Sequence, residues 1–172
     1  TNAQLNTVQS RINTGLKVAG AKDNAAVFAI AQAQRAELGG LSAVKSSLDR
    51  ATGSIDVALA GAEAISDLLI QLKEKAVAAA DPGLDVDSKA LLDNDYQQLI
   101  EQIDTIAGNA EFNGLNAING SDDIVAIVSS DADATKAITI NNSDLTTNGL
   151  SLSGTDITTA GTASAAIAAI DT

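Results

Sequence analysis

A seven-residue hydrophobic repeat running unbroken from Leu41 to Ala76 constrains this chain more than any other feature. Leu41, Leu48, Ile55, Ala62, Leu69 and Ala76 form one row; Val44, Ala51, Ala58, Ile65 and Leu72 form a second, three residues on. Two such rows share one face of an α-helix and read as an a/d seam for packing against another helix. Upstream, Val27, Ile30 and Leu38 continue the stripe with a phase shift near Gln34–Glu37. No proline falls between Asn24 and Asp81. The pattern therefore predicts one helix of about 55 residues, ~80 Å long at ~1.5 Å per residue. Ordinary compact domains use helices of about 11–12 residues. Gly39, Gly40, Gly53 and Gly61 lie inside this run, and each costs up to ~1 kcal/mol against alanine. Gly39–Gly40 either break the helix or, like the other two, admit a neighbouring backbone.

The flanking segments follow the same logic. Leu5, Val8 and Ile12 place a helix over Thr1–Thr14, and Gly15 and Gly20 bracket a connector. Asp23 or Asn24 can cap the long helix. Asp81-Pro82-Gly83 ends it. Asp87 or Ser88 then caps a second helix whose apolar row is Leu92, Tyr96, Leu99, Ile103 and Ile106, closed by Gly108 and Asn109; it is expected antiparallel to the first. Beyond it the chain turns to Ser, Thr and Asn-Gly steps at Asn113-Gly114, Asn119-Gly120 and Asn148-Gly149. The runs Ile124–Val128, Ala137–Ile140 and Leu150–Leu152 read as short strands. From Thr162 an Ala-rich stretch with Ile167 and Ile170 starts a last helix, expected to continue beyond the chain. The fold class is mainly α with a small β region. Four segments result: 1–23, 24–109, 110–160 and 161–172.

Composition narrows the chemistry. Among the 172 residues there is no Cys, His, Trp or Met, and only Phe28, Phe112 and Tyr96 are aromatic. Disulfides, thiolate nucleophiles, zinc-thiolate sites and the commonest neutral-pH base are thereby excluded. The core must be built from Leu, Ile, Val and Ala, which favours close helix packing. Rod-core positions are assigned to Leu41, Val44, Leu48, Ile55, Ile65, Leu69, Leu72, Leu92, Tyr96, Leu99 and Ile103. The net charge is −12. Residues 91–172 carry only Lys136 against a series of Asp and Glu, a surface that repels nucleic acid and anionic membranes. No apolar run is long enough to span a bilayer, and no signal-peptide pattern opens the chain.

Three carboxylate runs, Asp85-Val86-Asp87, Asp93-Asn94-Asp95 and Asp131-Ala132-Asp133, could hold calcium. None continues with the central Gly and distal Glu of a calcium loop, so they read as solvated caps and turns. Glu63 with Glu74, or Asp95 with Glu101, lacks a shared cleft for acid–base catalysis. Gly39–Gly40 lacks the Lys-Ser/Thr of a phosphate loop. No catalytic residue, cofactor or metal is expected.

Three passages, in order, resemble one family. The first is Val8-Gln9-Ser10-Arg11-Ile12-Asn13-Thr14-Gly15-Leu16 followed by Ala21-Lys22-Asp23-Asn24-Ala25-Ala26. The second is Ala58-Leu59-Ala60-Gly61-Ala62-Glu63-Ala64 leading into Leu72-Lys73-Glu74-Lys75-Ala76-Val77. The third is Glu111-Phe112-Asn113-Gly114-Leu115, with Asn119-Gly120 after it. Together they cover roughly 5–120 and resemble bacterial flagellin. The resemblance implies an elongated rod of long antiparallel helices with an outer β-hairpin segment. Residues 1–23 would be the end of an inner helix and its spoke, 24–109 the rod, 110–160 the variable outer region and 161–172 the returning C-terminal helix. It implies a secreted filament subunit that polymerises with its copies, leaves through the flagellar export channel, and meets an export chaperone, cap and hook-junction proteins. Some relatives carry O-linked sugars, for which Ser129, Ser130, Thr146, Thr147 and Ser151 are candidates. Many carry a Q-R-x-R-E-L-A-V patch read by an innate immune receptor of animals. Gln71, Lys73 and Glu74 fall there, and Gln71 replaces the first Arg, which predicts weak recognition. A hook–filament junction protein and a cell-surface protein binding a glycan or host receptor are the alternatives. The chain by itself is expected to be monomeric.

Overall fold

A computed structural model describes residues 2–18, 20–131 and 133–171. The helix start expected at Thr1, Ala132 of the Asp131–Asp133 run and the final Thr172 lie outside the described residues. Four α-helices are found among the described residues: α1 (Asn2–Thr14), α2 (Ala25–Ala79), α3 (Val86–Asn109) and α4 (Ala160–Ile170). Two three-residue strands, β1 (Ile124–Ala126) and β2 (Ile138–Ile140), and a 3-10 turn at Ala134–Lys136 complete the set. The chain groups into two compact units, one of Thr1–Ser47 with Ile127–Ala137, the other of Leu48–Ala126 with Ile138–Thr172.

Helix α2 passes through Gly39 and Gly40 without a break and spans 55 residues. It starts where Asn24 Oδ1 accepts the Val27 N–H at 3.1 Å, so Asn24 rather than Asp23 is the cap. In the first unit the segment after β1 lies along α2. Ser47 Oγ accepts the Ile127 N–H at 3.0 Å, and a Cβ on Gly40 would sit 2.7 Å from the Ser130 carbonyl oxygen. Gly40 is therefore the position that admits a backbone, while nothing approaches Gly39. Leu5, Val8 and Ile12 of α1 are exposed.

The second unit holds the main core. Ile65, Leu68, Leu72, Ala76 and Ala79 of α2 pack with Tyr96, Ile100, Ile103 and Ala107 of α3 and with Ala163 and Ala166 of α4. Lys75 pairs with Asp95 at 2.6 Å, and a Cβ on Gly61 would lie 4.0 Å from Ile106 Cγ2, so α3 runs antiparallel to α2. The α3 cap is Asp85, whose carboxylate accepts the Ser88 N–H at 2.8 Å, in place of the expected Asp87 or Ser88. Gly108 stays helical; the Ala110 N–H bonds to Ile106 and closes the helix. Helix α4 begins at Ala160, before the expected Thr162, because Thr159 and Thr162 exchange side-chain-to-backbone bonds in a capping box.

The seam differs from the expected one. Val44, Ala51, Ile65 and Leu72 of the second row are buried. In the first row only Ala76 is buried: Leu41 is 50% exposed and Leu48 39%, while Ile55, Ala62 and Leu69 are half-buried. Ser47, Ser54, Gly61 and Leu68 take the inward places. What covers much of this face is chain that follows α3, and it comes too close for branched side chains. A Cβ on Gly53 would lie 2.8 Å from Phe112 Cζ, and one on Gly61 2.7 Å from Ile118 Cδ1. Serine tolerates this burial because its hydroxyl is satisfied locally: Ser54 Oγ bonds the Arg50 carbonyl at 3.2 Å.

β1 and β2 pair antiparallel, Ile124 with Ile140 and Ala126 with Ile138. β1 is shorter than expected because the Ile127 N–H goes to Ser47. Leu150–Leu152 is a turn, not a strand. The N–H groups of Leu150, Ser151 and Leu152 bond the carbonyls of Thr146, Asn148 and Thr147, and Ser151 adopts φ 58°.

Candidate functional site

Within the second unit the most organised polar chemistry joins α3 to the chain returning toward α4. Tyr96 is fully buried, and its hydroxyl lies 2.9 Å from Thr155 Oγ1. Thr155 Oγ1 donates its own proton to the Leu152 carbonyl at 2.8 Å, so Tyr96 is the donor in the first bond. Burial pushes the Tyr96 phenol above its ordinary value. The adjacent Gln97 donates from Nε2 to the Thr155 carbonyl at 2.9 Å, and Asp93, one turn earlier, accepts the Ile157 N–H at 2.9 Å. Farther along α3, Asp104 takes both the N–H and the hydroxyl of buried Thr147, each at 2.8 Å. Asn116, also buried, donates to the Ala107 carbonyl at 2.7 Å and accepts the Ile118 N–H at 3.0 Å. The sequence reading picked out Tyr96 and missed Asp104, Asn116 and Thr155.

The acidic residues beyond α3 are mostly turn clasps. In Asp133-Ala134-Thr135, Asp144-Leu145-Thr146 and Asp156-Ile157-Thr158 the carboxylate accepts the Thr N–H and the Thr hydroxyl. Asp123 likewise accepts the backbone N–H and the side-chain amide N–H of Asn142. These bonds replace the ladder that three-residue strands are too short to supply. The Asp-x-Thr triplets were the signal for them in the sequence. Hydrogen bonds from Thr135 and from Thr158 hold Asp133 and Asp156 below the ordinary carboxylate value. In the first unit Ser129 and then Lys136 bring Asp131 from 3.8 to about 2. The Lys136 ammonium bridges Asp131 at 3.1 Å and Asp133 at 3.7 Å, so this carboxylate run, which reads in the sequence as solvated and not as a calcium loop, is met by a lysine. Among the described residues no group of three or more acidic side chains converges as a metal site, and no helix is long and apolar enough to cross a membrane.

Of the remaining positions singled out from sequence, Gln71, Lys73 and Glu74 lie on α2 and Leu92, Leu99 and Ile103 on α3. Gln71 is exposed, with its amide 3.5 Å from the Asp67 carbonyl. Lys73 is ion-paired with Asp171 just after α4. Glu74 is exposed. Leu92 and Leu99 are half-buried, and Ile103 is fully buried. An apolar groove of about 310 Å³ runs between Ile55, Leu59 and Ala62 of α2 and Ile118, Ile140 and Leu145.

Long paired helices, a small-residue seam and self-capped turns define a helical structural module. Residues 1–123 match the bacterial flagellin N-terminal helical region. The chain belongs to the bacterial flagellin family. It is 43% identical over its whole length to flagellins FljM and FljK of Caulobacter vibrioides, and 39% identical over 108 residues to flagellin A of Rhizobium meliloti. The chain spans 63% of the length of the two Caulobacter relatives. The crystal structure of Bacillus cereus flagellin is similar in fold, with a TM-score of 0.63 at 27% identity, covering 74% of this chain and 73% of that one.

Proposed function

We propose that this chain is the rod-forming part of a structural subunit of the bacterial flagellar filament, a protein that acts by polymerising and has no catalytic role. The match to flagellins along the entire chain, at 43% identity, carries this reading. Residues 1–23 serve as the end of an inner helix and its spoke, 24–109 as the rod, 110–160 as the outer region and 161–172 as the start of the returning helix. Ile65, Leu72, Tyr96 and Ile103 hold the rod together; Leu41 and Leu48, exposed on this chain, serve contacts with further chain or with other subunits. A contact that does not close into a ring propagates into a filament. The subunit is secreted through the flagellar export channel and meets a chaperone, cap and hook-junction proteins on its way; it binds neither nucleic acid nor membrane. Extending the chain at both ends to the length of its relatives and viewing it by electron microscopy beside the present chain tests this. Filaments from the extended protein alone support the reading. No assembly from either, even with filament seeds, overturns it and directs attention to glycan binding by the outer region.

Recognition by the animal immune receptor is weak in this reading. Gln71 has no forked cation to offer, and Lys73 is engaged by Asp171. A receptor reporter assay on the full-length protein checks this: little activation is expected, and strong activation refutes it. Gln71→Arg is expected to raise the signal.

A further inference from the structure

We propose that Asn113 is a self-modifying position, where the chain converts asparagine to aspartate and isoaspartate without an enzyme. The reaction needs an asparagine followed by glycine, a glycine N–H free to lose its proton, and room for the asparagine side chain to swing onto it. The chain has three Asn-Gly steps. At Asn119-Gly120 the asparagine Oδ1 holds the Ser121 N–H at 3.0 Å, and the Asp144 side chain lies 3.2 Å from the Cβ position of Gly120. At Asn148-Gly149 the glycine N–H donates to Thr146 Oγ1 at 3.4 Å, and the Asp144 carbonyl oxygen crowds the Cβ position of Gly149. Asn113-Gly114 has neither restraint. Both residues are exposed, and nothing lies within 4 Å of the Cβ position of Gly114. Among the described residues the Asn113 side chain and the Gly114 N–H make no hydrogen bond.

The atoms balance with water alone. Gly114 N gives its proton to solvent base and attacks Asn113 Cγ. The N–Cγ bond forms, the Cγ–Nδ2 bond breaks, and Nδ2 leaves as ammonia after taking up a proton. Water then opens the five-membered imide. Breaking the N–Cγ bond gives aspartate; breaking the bond from N to the Asn113 main-chain carbonyl carbon gives isoaspartate, with the chain rerouted through the side chain.

The second product carries a structural consequence. Asn113 and Gly114 both have positive φ, 54° and 81°. They close a two-residue turn between Phe112 and Leu115, whose N–H groups bond each other's carbonyls at 2.9 and 3.1 Å. Isoaspartate adds a methylene to the main chain, so that turn no longer closes. Phe112, whose ring lies over Gly53, is then released from α2.

The test is to incubate the folded chain at mildly alkaline pH and follow the three asparagines by peptide mapping, with fragmentation that distinguishes isoaspartate. The same chain in urea serves as reference. Folded, Asn113 is expected to react at least about fivefold faster than Asn119 or Asn148, roughly the factor that one held hydrogen bond is worth. In urea the three rates are expected to converge. A folded chain in which Asn119 or Asn148 reacts as fast as Asn113 overturns the proposal, as does loss of Asn113 without isoaspartate.

Discussion

At the scale of single residues, neighbouring glycines in α2 have opposite roles. Gly39 meets nothing, whereas a Cβ on Gly40 would stand 2.7 Å from the Ser130 backbone oxygen. Gly39→Ala is therefore expected to stabilise the protein by about 0.5–1 kcal/mol, the ordinary helical gain over glycine. Gly40→Ala is expected to destabilise it, because a main-chain oxygen cannot move aside as a side-chain tip can. Urea unfolding followed by circular dichroism separates the two signs. The inward positions were harder to read from sequence, for the same reason. Hydrophobicity ranks Leu48 and Ile55 above Ser47 and Ser54, yet the two serines are buried, and Ser47 meets the non-helical chain at Ile127. Ile65 and Leu72, by contrast, pack against another helix, and there the heptad pattern picked out the buried side chains.

At the scale of elements, the clasps decide how the irregular region responds to composition and pH. Asp104→Ala removes two bonds to buried Thr147. It is expected to cost about 2 kcal/mol, since unsatisfied buried donors are expensive; thermal unfolding measures it. The acid response has a definite sign. Asp131, Asp133 and Asp156 titrate below their ordinary value in the folded chain. Their clasps therefore contribute fully above the unfolded carboxylate value and are lost as pH falls through the lower folded values. For Asp131 that window runs from 3.8 down to about 2. Amide exchange at Thr135 and Thr158 is expected to accelerate, relative to its intrinsic rate, as pH falls below the ordinary carboxylate value. Helix existence was legible in the sequence because periodicity is a long-range signal, carried by many residues of α2 and α3. The β region was less so: β1 and β2 hold three residues each, and their order depends on pairs such as Asp123 with Asn142 and Asp104 with Thr147, distant in the chain. The Asp-x-Thr triplets stand in the sequence, but of their carboxylates only Asp133 falls in a run that the sequence reading considers, and that run reads as solvated.

At the scale of the whole molecule, β1 and β2 leave and rejoin the second unit at paired residues, Ala126 opposite Ile138. The segment between them, Ile127–Ala137, belongs to the other unit. Replacing it with a short turn centred on Asn-Gly is expected to leave the second unit's unfolding nearly unchanged, within about 0.5 kcal/mol. Amide exchange in β1 and β2 checks that the ladder persists. The family was legible because its passages stand in order across the helices; the clasps that join α3 to the returning chain were not, since no spacing announces them. Tyr96 has one more consequence. The chain has no tryptophan and no other tyrosine, and Tyr96 is sealed in the core with its hydroxyl on Thr155. Tyrosine emission from this protein therefore comes from a single address. A label-free fluorescence trace reports whether the chain leading into α4 is seated on α3, with no engineered probe needed to locate the signal.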